Sequence, residues 1–183
     1  MSSLKLSVLA TLLGAAYALP NIYGLANPAK FGALLKKFPR SLPAGVALML
    51  LGTAWFLYYV NVERNSDFAR MKPYMMIGFT GVGIGCCIYL QDFLSVRGLA
   101  VMMLLLAKLM LDTERWHDSQ WRLVIAVWAY AMIALGAWFT VSPWRCRDWI
   151  AWNTANDQRL KKMSALRAAF GVLVAVLGVT ALR

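Results

Sequence analysis

The charged residues of this chain fall in clusters, and the windows between them carry neither charge nor a polar face. Residues 42–60 and 123–141 contain no Asp, Glu, Lys, Arg or His at all. A helix in water keeps one polar side, so runs that are apolar all round belong in a large core or a bilayer. The chain is 183 residues long, 61% hydrophobic and 15% charged, with a mean hydropathy of +0.59. An ordinary soluble domain is far less apolar. The expected fold class is an all-α integral membrane protein. Backbone groups in lipid must be satisfied within the chain, which leaves helices or closed barrels. A barrel needs polar and apolar residues to alternate over segments of about ten residues, and these runs are continuous.

A bilayer core takes about 20 residues of helix, with tolerance for shorter spans. Six segments fit: 4–19, stopping at Pro20; 42–60, closed by Phe56, Tyr58 and Tyr59; 74–90; 98–111; 123–141, with Trp128 and Trp138 toward its ends; and 168–182. The fourth reaches back to Phe93 if Arg97 snorkels to the headgroups. Charged loops fall at Glu63, Arg64, Asp67, Arg70 and Lys72 and across residues 112–122. The first segment also has signal-peptide form, with Lys5 ahead of an apolar run and Ala16-Tyr17-Ala18 behind it. It is read as an uncleaved span. The expectation is one transmembrane domain over 1–183, with about six helices in three hairpins.

A hairpin pattern is written twice. Asn27-Pro28-Ala29-Lys30 opens a basic stretch leading to Gly45 and Gly52, and Ser142-Pro143-Trp144-Arg145 opens another leading to Gly171 and Gly178. Each glycine pair is seven residues apart. The repeat halves would be 4–61 and 123–183, around a central hairpin 73–111. In the first basic stretch Phe31, Leu34, Leu35 and Phe38 recur at helical spacing, with Lys30, Lys36 and Lys37 elsewhere on the helix. That describes a short helix lying in the membrane surface, capped by Asn27 with Pro28 in its first turn. The second stretch sets Trp144, Trp149, Ile150 and Trp152 among Arg145 and Arg147, bends near 153–157, and continues through Arg159, Lys161, Lys162 and Arg167. On Ser142-Pro143-Trp144-Arg145 and residues 167–182, this C-terminal part resembles small two-helix bacterial inner-membrane proteins of uncharacterised function. The resemblance implies no activity.

The net charge is +11, from 19 Lys+Arg against 8 Asp+Glu. In a soluble protein that would suggest nucleic acid. Here the basic residues flank apolar spans, where anionic headgroups are the expected partner and nucleic acid is not. The expected lipid-interface set is Lys30, Lys36, Lys37, Arg40, Trp144, Arg145, Arg147, Trp149, Trp152, Lys161 and Lys162. Loops after the first, third and fifth spans carry eleven Lys+Arg against eight on the opposite side. This puts both amphipathic segments in the cytoplasm and both termini outside. The two hairpins then share one orientation, a parallel repeat rather than the inverted pair common in transporters. The expected setting is a bacterial inner (cytoplasmic) membrane.

Residues for chemistry are sparse. The only histidine, His117, lies in the charged loop beside Glu114 and Asp118, and a surface histidine of that kind is read as no ligand. No ionisable residue stands at a span centre, as coupled transport requires. Asp92 and Arg97 flank a hairpin where an ion pair would be short-ranged. Cys86, Cys87 and Cys146 form no disulfide framework. The third span carries Gly78, Gly81, Gly83 and Gly85, a small-residue face for close helix approach. It would serve either a partner subunit or internal packing. With Gly45, Gly52, Gly171 and Gly178, the residues Gly78, Gly81 and Gly85 form the expected helix-packing set. The function expected is a non-catalytic accessory or structural membrane subunit, with no cofactor or metal, in a homo- or hetero-oligomer. The alternative is a small oligomeric channel or a lipid/solute transporter.

Overall fold

The computed structural model describes residues 5–63, 70–115 and 117–182. Leu4, the expected start of the first span, Arg64 and Asp67 of the loop after the second, Trp116 and Arg183 lie outside the described residues. Eight α-helices are described: α1 (Leu6–Ala26), α2 (Pro28–Lys37), α3 (Leu42–Val62), α4 (Lys72–Tyr89), α5 (Leu94–Glu114), α6 (Arg122–Val141), α7 (Trp144–Asn153) and α8 (Asp157–Thr180). A 3-10 turn, Phe38–Arg40, joins α2 to α3, and no strand occurs among the described residues. Five helices, α1, α3, α5, α6 and α8, are long and apolar enough to cross a membrane. Their composition is that of a multi-pass helical membrane protein.

Three boundaries differ from the sequence expectation. Helix α1 runs through Pro20 to Ala26 instead of stopping there. A proline removes one intrahelical donor, a loss that membrane helices tolerate when nearby polar groups supply others. The carbonyl that Pro20 leaves without its donor is that of Ala16; one residue on, the buried Asn21 adds its Nδ2 to Tyr17 O at 2.8 Å. Helix α5 starts earlier than Gly98 and passes through Asp112, which accepts from Lys108 Nζ at 2.5 Å one turn away. Helix α8 begins at Asp157 rather than Ala168, because Asn156 caps it by accepting from Gln158 N at 2.9 Å. Arg159, Lys161, Lys162 and Arg167 therefore belong to the first turns of α8.

The chain divides into two compact units, whose boundaries fall at the end of α2 and inside α5, α6 and α7. The first unit holds α1, α2, residues 106–134, most of α7, and α8. Its axis is the contact between α1 and α8. A methyl added at Gly14 would stand 2.5 Å from Ala175 N and 2.6 Å from Gly171 O. One at Gly171 would stand 2.8 Å from Ala18 N, and one at Gly178 would stand 2.7 Å from Thr11 N. Rising numbers on α1 meet falling numbers on α8, so these helices are antiparallel. Around the seam Leu6, Leu9, Ala10, Met110, Ile125 and Val174 form a buried cluster. The rings of Tyr17, Trp128 and Phe170 close one flank, with centroids 5.3 to 6.3 Å apart.

The second unit holds residues 38–105 and 135–146. Gly45 meets Ser95 N, Gly98 meets Met49 N, and Gly52 meets Val101 Cγ1, each closer than a methyl would allow. Rising numbers on α3 meet rising numbers on α5: these helices are parallel. Helix α4 runs the other way along α3, with Gly83 against Thr53 and Phe79 against Phe56, ring centroids 4.7 Å apart. Phe93 takes φ 56 in the sharp turn before α5, and its carbonyl accepts from Val96 N and Arg97 N. Ser95 Oγ, buried, donates to Phe38 O at 2.7 Å and ties the 3-10 turn to the start of α5.

Overpacking a close helix contact typically costs 1–3 kcal/mol. Gly14→Leu should lower the thermal midpoint in mild detergent by an amount equivalent to about 1–3 kcal/mol. Gly81→Leu, with nothing within 4 Å of its site, should leave the midpoint of the isolated chain unchanged or slightly raised. Circular dichroism melts of the two variants check this pair.

Candidate membrane-interface site

Most of the described Lys and Arg residues of the first unit lie on α2, α7 and the start of α8. Gly32 of α2 faces Leu160 and Thr154, so α2 docks on the α7–α8 corner through its one buried residue. Tyr23 and Phe31 hold the α1–α2 bend edge to face, centroids 6.4 Å apart. Leu34 stays 60% exposed, leaving an apolar side of α2 uncovered by the unit.

The α7–α8 corner is built on Asn153 and Thr154, both buried. Asn153 Nδ2 donates to Trp149 O at 2.8 Å, and Thr154 Oγ1 donates to Ile150 O at 2.7 Å. Asn153 Oδ1 accepts from an Arg167 terminal nitrogen at 3.3 Å. The Arg167 guanidinium lies 5.1 Å from the Trp149 ring, and that of Arg159 lies 4.8 Å from the Trp152 ring. Arg159 also donates to Trp152 O at 3.1 Å. Each guanidinium carbon lies over an indole ring, a cation–π contact of about 0.5–1 kcal/mol at an exposed site. Lys30, Lys36, Lys37, Lys161 and Lys162 are exposed on the same unit, and Arg147 pairs with Asp148 at 2.9 Å.

Trp144, Arg145 and Arg40, all exposed, belong to the second unit. Among the expected packing residues, Gly45, Gly52, Gly171 and Gly178 lie in the close contacts described above. A side chain added at Gly78, Gly81 or Gly85 would find no atom within 4 Å, whereas Gly83 faces α3. Asp92 is exposed and Arg97 half-buried, and they form no ion pair among the described residues; Arg97 Nε is sealed from solvent without a partner. His117 Nδ1 accepts from Ser119 N at 3.2 Å. No group of three or more His, Cys, Asp or Glu that could hold a metal ion occurs among the described residues.

Sequence reasoning missed Gly14, Gly98, Asn153 and Ser164. Gly14 with Ala18 and Gly171 with Ala175 were readable as small residues four apart. Asn153 carried no such signal, because its role depends on where Arg167 arrives. Ser164 is fully buried beside Gly24, its hydroxyl unpaired.

The chain matches no known family, no curated protein and no solved structure.

Cys146, on α7, is 3% exposed, and burial pushes its thiol up to about 11 from an ordinary 9.0. A raised thiol pKa leaves less thiolate at any pH below it. At pH 8 Cys146 should react with iodoacetamide about 100-fold more slowly than an exposed cysteine, from thiolate fraction alone. The rate should climb about tenfold per pH unit up to pH 11. Alkylation of a Cys86→Ser/Cys87→Ser background, followed by mass spectrometry, reads this directly.

Proposed function

We propose that this chain is a non-catalytic integral membrane subunit that packs against partner subunits and lipids in a larger bilayer complex. One observation carries the reading. All thirteen glycines lie within helices, where each costs about 1 kcal/mol relative to alanine. Ten have neighbours where a side chain would stand. The other three, Gly78, Gly81 and Gly85, share one face of α4 with open space before them. A glycine face with no described atom within 4 Å of where its side chains would stand suits the approach of another helix. The exposed Tyr74, Ile77, Val82 and Ile88 on α4 flank it with apolar bulk.

The chain crosses the bilayer six times in this reading, with α4 as the additional span. Consecutive spans alternate in direction. Five spans without α4 would make α1 and α8 parallel and α3 and α5 antiparallel, the reverse of both contacts. A crossing by α4 returns the chain between α3 and α5 and accounts for both directions. At 18 residues α4 is about 27 Å long, close to the hydrocarbon thickness. In the same reading the basic excess favours a cytoplasmic side for α2, α7 and the start of α8 in a bacterial inner membrane, with Lys30, Lys36, Lys37, Lys161 and Lys162 at anionic headgroups.

Single cysteines introduced at Asp92 and Lys37 should be labelled from one side of the membrane, and one at Arg70 from the other. Labelling of Asp92 and Arg70 from the same side would remove the sixth span. Purification in mild detergent with mass measurement should give a species heavier than the 20.4 kDa chain, and Gly81→Leu should dissociate it without unfolding. A wild-type monomer with no co-purifying protein would defeat the subunit reading. A homo-oligomer that passes solutes in proteoliposomes would shift the assignment to a passive pore.

A further inference from the structure

An open apolar groove of about 470 Å³ runs along the α1–α8 seam on the first unit. That volume lies within the range of small-molecule sites. Its floor is Ala15, Ala18 and Ala175, and its exposed rims include Ile22 and Val176. The small floor follows from the glycine contact beneath it, which draws the two backbones together and leaves little side chain to fill the crevice.

On α8 the groove has a direction. Lys161, Ala165, Val172, Val176 and Val179 fall on one stripe, at steps of four, seven, four and three. Lys161 and the neighbouring Lys162 are exposed at its lower end. Helix α8 has 24 residues, about 36 Å, more than the roughly 30 Å hydrocarbon core. Its first turns, with both lysines, therefore reach the headgroup layer when the helix spans. Lys161 and Val172 are about 16 Å apart along the axis, within the reach of one extended lipid. Asp157 stands one turn below Lys161, and no ion pair among the described residues joins them. We propose that the α1–α8 groove is a site for one anionic phospholipid, its acyl chain on the alanine floor and its phosphate at Lys161 and Lys162.

This site rests on the bilayer placement of α8 and not on the presence of a partner subunit, so loss of the higher-mass species would leave it standing. Native mass spectrometry in mild detergent tests it with phosphatidylglycerol and phosphatidylcholine of identical chains. The wild-type chain should retain one phosphatidylglycerol at about tenfold lower lipid concentration than phosphatidylcholine. Lys161→Ala/Lys162→Ala should lose that preference while still binding both lipids weakly. Val176→Trp, at an exposed rim, should lose retention of both. Arg115→Ala, in the loop after α5, should behave as wild type. Equal retention of the two lipids by the wild-type chain overturns the proposal. So does unchanged preference in the double lysine variant, unchanged retention in Val176→Trp, or an equal loss in Arg115→Ala, which would make the effect one of net charge alone.

Discussion

Close backbone approach at glycine is the constraint on which the helix contacts depend. In water two apolar helix faces are driven together by the loss of exposed surface. In lipid the surroundings are as apolar as leucine, so helices associate through packing and weak polar contacts instead. Distance then decides how much packing is gained, because dispersion falls steeply across even a small gap. Gly14, Gly171 and Gly178 bring α1 and α8 to a separation at which no added methyl fits, and Gly45 and Gly98 do the same for α3 and α5. Each contact also fixes register, since a slide of one residue sets a side chain against backbone.

Those contacts carry topology as well as stability. Their pairing order shows which helices run together and which run opposed, information that span length alone does not hold. Helix α4 illustrates the difference. Its Lys72 and Pro73 and its four glycines dilute its apolar character, and it is less apolar than the five long helices. Its antiparallel position along α3 is nevertheless fixed by Gly83 and Phe79. The basic corner of α2, α7 and α8 depends on a second device, the buried Asn153. This side chain holds both the end of α7 and Arg167, while Thr154 beside it bonds the same turn of α7 and Trp152 holds Arg159.

The helical membrane class was legible in the sequence because uncharged runs of nearly twenty residues admit few alternatives. Boundaries were less legible where local signals conflict with context. Pro20 reads as a stop, yet α1 continues to Ala26, because one missing backbone bond does not end a helix that lipid obliges to pair its other groups internally. Asp112 reads as loop, yet Lys108 one turn back neutralises it within α5. The spacing of Gly171 and Gly178 was visible, but their partner was not, because Gly14 and Ala18 lie at the far end of the sequence and no local pattern joins them. The groove above that seam was invisible for the same reason. The division of labour on α4, with Gly83 inward and Gly78, Gly81 and Gly85 outward, needed only the helical period and the identity of the neighbouring helix. The sequence supplies the first.

The pairing of α1 with α8 also bears on how the protein is made. A ribosome delivers α1 to the membrane well before α8 exists, so the glycine face of α1 has no partner of its own during most of synthesis. Non-local contacts of this kind form slowly and leave exposed surfaces open to wrong association in the interval. Residues 106–134, which share the first unit with α1, emerge earlier, and Met110 and Ile125 join Leu6, Leu9 and Ala10 of α1 in one buried cluster. The seam is thus closed last by the helix that carries its tightest contacts, and any interruption of translation before Gly171 leaves Gly14 and Ala18 of α1 without the backbone they pack against.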